Sequence, residues 1–354
     1  MYRILVVNPL VYSTKVAIFE NEQNLFETEV PFQMRKEYHF IQDQLTERKQ
    51  DVIQSVEEIG LDLSKIDAVC GRGGLLKPIS GGTYVVNSKM IQDLRSANYG
   101  EHVSNLGALI AHEIAQQLNV SAYIVDPVVV DELADLARKT GLPSIERKSI
   151  FHALNQKSMA RQVANDLGGD YHEMNFIVAH LGGGVTVGAH RYGRVVDVNN
   201  GFDGEGPFSL ERAGSLPNHG LVDLMDEYGN DKQKVLEKVI YQSGIQAYLG
   251  TNRVKDVIEQ LEINRDDTAP VIELLAYQVA KEIGKLSPVL YGNVQAIVLT
   301  GNLSYIPLLT ELISHRVSWI ADVYEYPGEN VLMALAQGTL RVLRNQEKPK
   351  KYDE

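Results

Sequence analysis

The chain has 354 residues, 44% of them hydrophobic and 23% charged, with a formal net charge of −12. That length suits about two domains with separate cores, while the acidic balance leaves no basic stripe for a nucleic-acid backbone and no apolar run approaches the ~20 residues of a membrane helix. Cys70 is the single cysteine, so an intrachain disulfide is excluded and a reduced, cytoplasmic setting is expected, with the first residues entering a strand rather than a signal sequence.

Runs rich in β-formers at 3–7, 15–20 and 25–30 predict three strands. The first two are joined by the apolar turn Pro9-Leu10-Val11-Tyr12 and the next two by residues 20–24. A charged segment at 43–59 predicts a helix leading to a strand near 66–70, whose end makes Cys70 a buried thiol rather than a nucleophile. Residues 103–118 have helical apolar spacing in Leu106, Leu109, Ile110 and Ile114, with Ser104 as N-cap. A strand at 121–125, a helix near 130–139 and a helix at 149–167 follow.

The cycle then restarts with strands at 176–181, 184–190 and 193–198. Helices near 220–227, 231–240 and 268–287, strands at 294–299 and 318–324, and a final helix at 329–344 complete the chain. In that last helix Leu332, Leu335, Leu340 and Val342 are the core candidates, and the basic residues of 348–352 read as a solvated tail. Two related mixed α/β halves with a cleft between them are the economical reading, divided as 1–170 and 171–354, with the final helix able to pack back on the first.

Polar residues and glycines collect just after strands in both halves, where open α/β sheets bind ligands. The turn Gly182-Gly183-Gly184 after His180 lets backbone amides approach an anion, although three glycines also suit a tight hairpin. Thr300-Gly301-Asn302 ends a later strand in the same way. Neither a P-loop nor a dinucleotide fingerprint occurs, so any phosphate is held by other means.

Arg72 stands between glycines in Gly71-Arg72-Gly73-Gly74, a bidentate fork with room for a carboxylate or phosphoryl group to reach it, although a surface arginine in a turn gives the same pattern. Asp126 ends a strand and suits Mg²⁺ or an attacking oxygen, but equally a solvated turn. His152, Asn155 and Gln156 share one helix face, and a neutral histidine near a helix start can donate to a transferring phosphoryl group, although a satisfied structural histidine suits the same spacing. The polar loop 197–214 offers Arg212 as its cation, with Asp203 and Glu205 read as solvated. His102, His112, His190 and His219 lack zinc-ligand spacing.

Taken together, GRGG at 71–74, EHVSNLGALIAH at 101–112, VDPVVVDE at 125–132, RKSIFHALNQK at 147–157, AHLGGG at 179–184, VDVNN at 196–200 and DGEGPF at 203–208 resemble the acetate kinase (acetokinase) family, in its butyrate kinase branch. The resemblance implies two actin-like, ribonuclease H-like domains of the acetate and sugar kinase, Hsp70 and actin superfamily, with an interdomain cleft. It also implies reversible phosphate transfer between ATP and a short-chain carboxylate such as butanoate, giving ADP and an acyl phosphate, with Mg²⁺, in a cytoplasmic enzyme that is commonly a homodimer without nucleic-acid or membrane partners.

By the same resemblance, Asn8 and Asp126 lie near the metal and phosphoryl group. Arg72 and Arg212 hold the acyl substrate and phosphoryl oxygens, and His152 stabilises the phosphate in flight. His180, Gly182, Gly183, Gly184, Gly301 and Asn302 belong to the nucleotide region.

Three places depart from the family pattern. After Asn8 the expected Pro-Gly-Ser-Thr-Ser-Thr-Lys is Pro9-Leu10-Val11-Tyr12-Ser13-Thr14-Lys15, replacing small phosphate donors by bulky side chains. Thr-Gly-Gly becomes Thr300-Gly301-Asn302, which is expected to crowd nucleotide or demand a positive φ of Asn302. Val331 stands where an acidic residue is usual, with Glu329 nearby as a substitute. A catalytically impaired member of the family and another actin-like phosphotransferase, such as a sugar kinase, therefore stay open as alternatives.

Overall fold

The computed structural model describes residues 1–353, which divide into two compact units, Met1–Asp131 with Asn330–Glu354, and Glu132–Glu329. In the first unit, β1 (Arg3–Pro9), β2 (Ser13–Glu20) and β3 (Gln23–Pro31) form an antiparallel meander. β4 (Ala68–Gly71) and β6 (Ser121–Val125) continue the sheet parallel to β1, and β5 (Thr83–Val85) closes on β6 antiparallel. β1 and β4 are buried almost throughout, as expected of strands covered on both faces.

The pleat explains that coverage. Leu5, Val7 and Val69 point into a cluster with Leu106, Leu109, Ile110 and Ile114 of the helix Asn105–Leu118. Cys70 points the other way, to Thr339 of the helix Val331–Leu343, and burial pushes its thiol up to about 12. Ser104 precedes the first of these helices but does not cap it, because its hydroxyl bonds His102 Nδ1 at 2.8 Å.

The basic tail is not solvated as expected. Lys350–Lys351 pairs in parallel with β5, and Tyr352 is fully buried with its hydroxyl donating to Asp93 Oδ2 at 2.9 Å.

In the second unit, β7 (Asn175–Leu181), β8 (Val185–Arg191) and β9 (Arg194–Val198) form the same meander. β10 (Ala296–Gly301) is parallel to β7, and β11 (Val323–Pro327) is parallel to β10. The spatial order β11-β10-β7-β8-β9 repeats β6-β4-β1-β2-β3, so the internal duplication read from the sequence is present in the topology.

Ile177, Ala179, Ile297 and Leu299 face a core built with the helix Arg265–Leu286. Phe176, Val178, Ala296 and Val298 face the helix Ala153–Asp166 through Ala160, Val163 and Ala164. Because that helix covers β7 and β10, the division falls at 131/132 and not at 170.

Other elements differ locally. The predicted helix near 130–139 is a single turn, Asp135–Arg138. Its preceding backbone is committed elsewhere, with Asp131 N–H on Ile79 O and Ala134 N–H on Val196 O. The strand expected at 318–324 forms later, as β11, after a helix at Pro307–Val317 that the sequence reading missed. No helix among the described residues is long and apolar enough to cross a membrane.

Candidate active site

In the first unit, three predicted residues end three neighbouring parallel strands. Asn8 lies at the end of β1, Arg72 follows β4, and Asp126 follows β6; the shared register Val7–Gly71–Ile124 brings these ends to one edge of the sheet. Arg72 N–H donates to Val7 O at 2.9 Å, fixing where its side chain leaves the sheet. His102 is held below its ordinary pKa first by burial and then by the charge of Arg72.

Asp126 is buried and has φ of +37°, a conformation that costs a non-glycine residue of order 1–3 kcal/mol. It is held there by a reciprocal pair with Gly82, whose N–H donates to Asp126 Oδ1 at 2.6 Å while Asp126 N–H donates to Gly82 O at 3.1 Å.

The glycines around Arg72 serve a purpose other than the one expected. A Cβ on Gly71 would lie 2.0 Å from Gly107 O, one on Gly73 2.5 Å from Pro127 Cβ, and one on Gly74 2.5 Å from Asn105 Oδ1. They permit close packing of helix and loop rather than leaving room for substrate.

The altered turn is gripped from behind by Arg48, a fully buried arginine in a segment that reads as a charged surface helix. Its guanidinium donates to Val11 O at 2.9 Å, Ser13 O at 2.7 Å and Thr14 Oγ1 at 2.9 Å, and stacks 3.8 Å over the Phe32 ring. Burial lowers its pKa to about 10. Val11 and Tyr12 remain 51% and 73% exposed, so the bulky side chains of the turn are not core residues.

In the second unit, His152 directly precedes the helix Ala153–Asp166 and stacks on His180 of β7, the ring centroids 3.7 Å apart and the planes 15° from parallel. His180 is fully buried, with Nδ1 2.8 Å from Asn155 Oδ1. Its Nε2 lies 3.0 Å from Glu329 Oε1 but lacks hydrogen-bonding geometry to it.

Gly182, Gly183 and Gly184 turn the chain between β7 and β8. A Cβ on Gly182 would sit 2.8 Å from His180 Nε2, and one on Gly184 2.4 Å from Arg212 Nη1, whereas Gly183 faces open space. Arg212 Nη1 donates to Gly201 O at 2.6 Å, and its buried Nε has no hydrogen-bond partner. Burial is the leading influence on Arg212 and lowers its pKa.

Gly301 has φ of +91°, and its Cα approaches β7 so closely that a Cβ would lie 2.4 Å from Leu181 O. The positive φ feared for Asn302 is thus carried by Gly301, and Asn302 is an exposed residue opening a short 3₁₀ turn, Asn302–Tyr305. His152, His180, the glycine turn and Arg212 therefore meet around one turn, where the buried Arg212 Nε has no hydrogen-bond partner and His180 Nε2 faces the Glu329 carboxylate. The guanidinium and the side-chain-free turn beside it fit a phosphate-bearing ligand.

A divalent cation finds a different welcome. No group of three His, Cys, Asp or Glu among the described residues is arranged to hold a metal. Asp126 and Asn8 offer hard oxygen donors of the kind that suits Mg²⁺ bound largely through phosphate oxygens and water, so the residues fit the ion only as a partner of nucleotide.

Two contributors, Ser209 and Arg147, were not singled out as site residues in the sequence. Ser209 Oγ donates to Gly183 O at 2.6 Å and so ties the 197–214 loop to the glycine turn. Arg147 binds Glu205, Asp197 and the carbonyls of Ala137 and Val198, so Glu205 is pinned rather than solvated.

Residues 134–305 match the model of the acetokinase family. That segment is homologous to the family. The whole chain is similar in fold to an acetate kinase from Porphyromonas gingivalis, with a TM-score of 0.74, 16% identity, and 97% of this chain and 100% of that one covered. A propionate kinase from Francisella tularensis gives a TM-score of 0.72 at 16% identity over 96% and 99% of the two chains. An acetate kinase from Entamoeba histolytica gives 0.71 at 15% over 95% and 98%. At these identities the likeness establishes the α/β fold.

Proposed function

We propose that the protein transfers the γ-phosphoryl group of ATP to a short-chain carboxylate, with butanoate as the preferred acceptor, forming an acyl phosphate and ADP reversibly. The observation that carries this reading is the convergence of His152, His180, Arg212 and the Gly182–Gly184 turn inside a segment of acetokinase-family homology. A carboxylate acceptor is already ionised at neutral pH, so no general base is needed and catalysis reduces to positioning and charge neutralisation.

Arg72 holds the acceptor carboxylate by its planar fork. His152 and Arg212 donate to the equatorial oxygens of the phosphoryl group in transfer, where preorganised donors contribute most. Asp126, locked by Gly82, keeps one fixed carboxylate at the end of β6, on the same edge of the sheet as Asn8 at the end of β1. The amides of the glycine turn, with Gly301 drawn against Leu181, receive nucleotide phosphates. Mg²⁺, when bound with nucleotide, would neutralise charge on the β- and γ-phosphate oxygens.

Incubation with ATP, Mg²⁺, hydroxylamine and each of acetate, propionate, butanoate and isobutyrate tests the proposal by acyl hydroxamate formation. Butanoate is expected to give the most product, and His152→Ala to abolish most of it; full activity in that variant would remove His152 from the chemistry.

The exposed Val11 and Tyr12 favour a second reading, in which the protein binds nucleotide but turns over slowly or not at all. Tight ATP binding without hydroxamate from any acid would select it.

A further inference from the structure

A buried chain of side chains between β8 and the helix Ala153–Asp166 ends on His152. Tyr171 OH lies 2.9 Å from His190 Nδ1, and His190 Nε2 lies 3.0 Å from Gln156 Oε1. Gln156 Nε2 lies 2.8 Å from Thr186 Oγ1, which in turn lies 2.9 Å from His152 Nδ1.

One group that cannot donate sets the direction of the whole chain. Gln156 Nε2 also donates to the backbone carbonyl of Thr186 at 3.0 Å, so turning the amide round would set two acceptor oxygens against each other. Gln156 Oε1 therefore faces His190, whose Nε2 must carry a proton and whose Nδ1 accepts from Tyr171. His190 is fully buried, and burial, followed by the charges of Lys157 and Arg161, holds its pKa well below the usual value. It remains a neutral link.

Thr186 Oγ1 already accepts from Gln156, and at 1% exposure its own proton has no solvent to meet. A buried hydroxyl that donates to nothing costs about 1–3 kcal/mol, so the proton goes to His152 Nδ1.

We propose that Thr186, backed by Gln156 and His190, is a positioning residue that fixes His152 as the Nε2–H tautomer, making the imidazole a proton donor at its outer nitrogen. The use of that proton on a phosphoryl oxygen rests on the function proposed above. The stack on His180 restricts the ring's tilt, and the Thr186 bond restricts its rotation. A neutral donor stabilises charge on a transferring group without first requiring protonation of the ring.

Imidazole ¹⁵N–¹H correlation spectra of histidine-labelled protein, recorded without nucleotide, read the tautomer directly, with His152→Gln identifying the signal. The expected spectrum is a single Nε2–H form for His152 in the wild type, lost or mixed in Thr186→Val and restored in Thr186→Ser. In turnover, Thr186→Val should lower kcat while KM for ATP holds. An Nδ1–H form or an even mixture in the wild type would overturn the assignment, as would an unchanged signal in folded Thr186→Val. If that variant does not fold, the wild-type and Thr186→Ser spectra still decide. An Nε2–H His152 in a protein that makes no acyl hydroxamate would support the tautomer assignment and overturn the function on which its catalytic use rests.

Discussion

The β1–β2 and β7–β8 hairpins hold equivalent places in their sheets, yet their turns are secured for opposite ends. Leu10-Val11-Tyr12 gives the Val11 carbonyl to the buried Arg48 and the Val11 and Tyr12 side chains to solvent. The Gly182–Gly184 turn has no side chains to present; it is anchored by one hydroxyl, Ser209, and flanked by His180 and Arg212. A duplicated backbone can thus carry one turn without side chains and another whose Val11 and Tyr12 stand in solvent. The difference lies in the turns' own residues and the groups around them, because strand order and pairing are the same.

The strongest test of that contrast is Arg212→Ala. It removes the cation beside Gly184 and should lower acyl hydroxamate formation by about a thousandfold, or ~4 kcal/mol, with little change in the unfolding midpoint. A loss below tenfold would place Arg212 outside the chemistry. Arg48→Met inverts the pattern. It keeps bulk but strips donors from Val11 O, Ser13 O and Thr14 Oγ1, and urea unfolding should show about 3 kcal/mol of lost stability.

Combining Leu10→Gly, Val11→Ser and Tyr12→Thr would restore the small donors of the turn. If that turn limits phosphoryl transfer, hydroxamate formation rises by about a hundredfold; an unchanged rate would move the limit to Val331 or Asn302. Gly183→Ala separates folding from binding, because the new Cβ enters open space. Stability should stay within about 0.5 kcal/mol, while calorimetry shows about tenfold weaker ATP binding. Normal affinity would mean that no phosphate lies over this glycine.

The smallest effect concerns Cys70, behind the strand that leads to Arg72. Burial holds the native thiol neutral up to about 12, whereas in the unfolded chain it ionises near ~8.5. The unfolded state therefore loses its proton first, so this contribution is complete below pH ~8.5 and declines as pH rises toward 12. Relative to Cys70→Ala, the wild type should lose about 1 kcal/mol of its advantage between pH 7 and about pH 9.5 in denaturant titrations. A constant difference would contradict the buried-thiol assignment.

Strand-end residues such as Arg72 and Asp126 were legible in the sequence because a strand and its following polar residue are contiguous, whereas Asn8 entered only with the family resemblance. The helix face joining His152, Asn155 and Gln156 was legible for the same local reason. Arg48 was not, since it meets Val11 across 37 residues and lies in a helix whose charges suggest exposure. Ser209 reaches Gly183 across 26 residues, and Thr186 reaches His152 across 34.

A usable signal did exist for Thr186. Period-two alternation in β8 puts Thr186, Gly188 and His190 opposite the apolar Val185, Val187 and Ala189, and that polar row marks a face meeting polar partners. The glycines of 71–74 misled because flexibility and close packing leave the same mark on a sequence.

The path of the chain also orders its assembly. Residues 132–329 form a continuous unit, but the core of the first unit requires the helix Val331–Leu343 against β1, β4 and β6, and Tyr352, whose hydroxyl accepts from Lys77 N–H and whose carbonyl accepts from Asn87 Nδ2. During synthesis, the unit begun first must wait with one face of its sheet uncovered until nearly the whole chain has been made, while the inserted unit has already had its full sequence available. Premature termination anywhere after 329 would consequently injure the oldest part of the protein and spare the newer one.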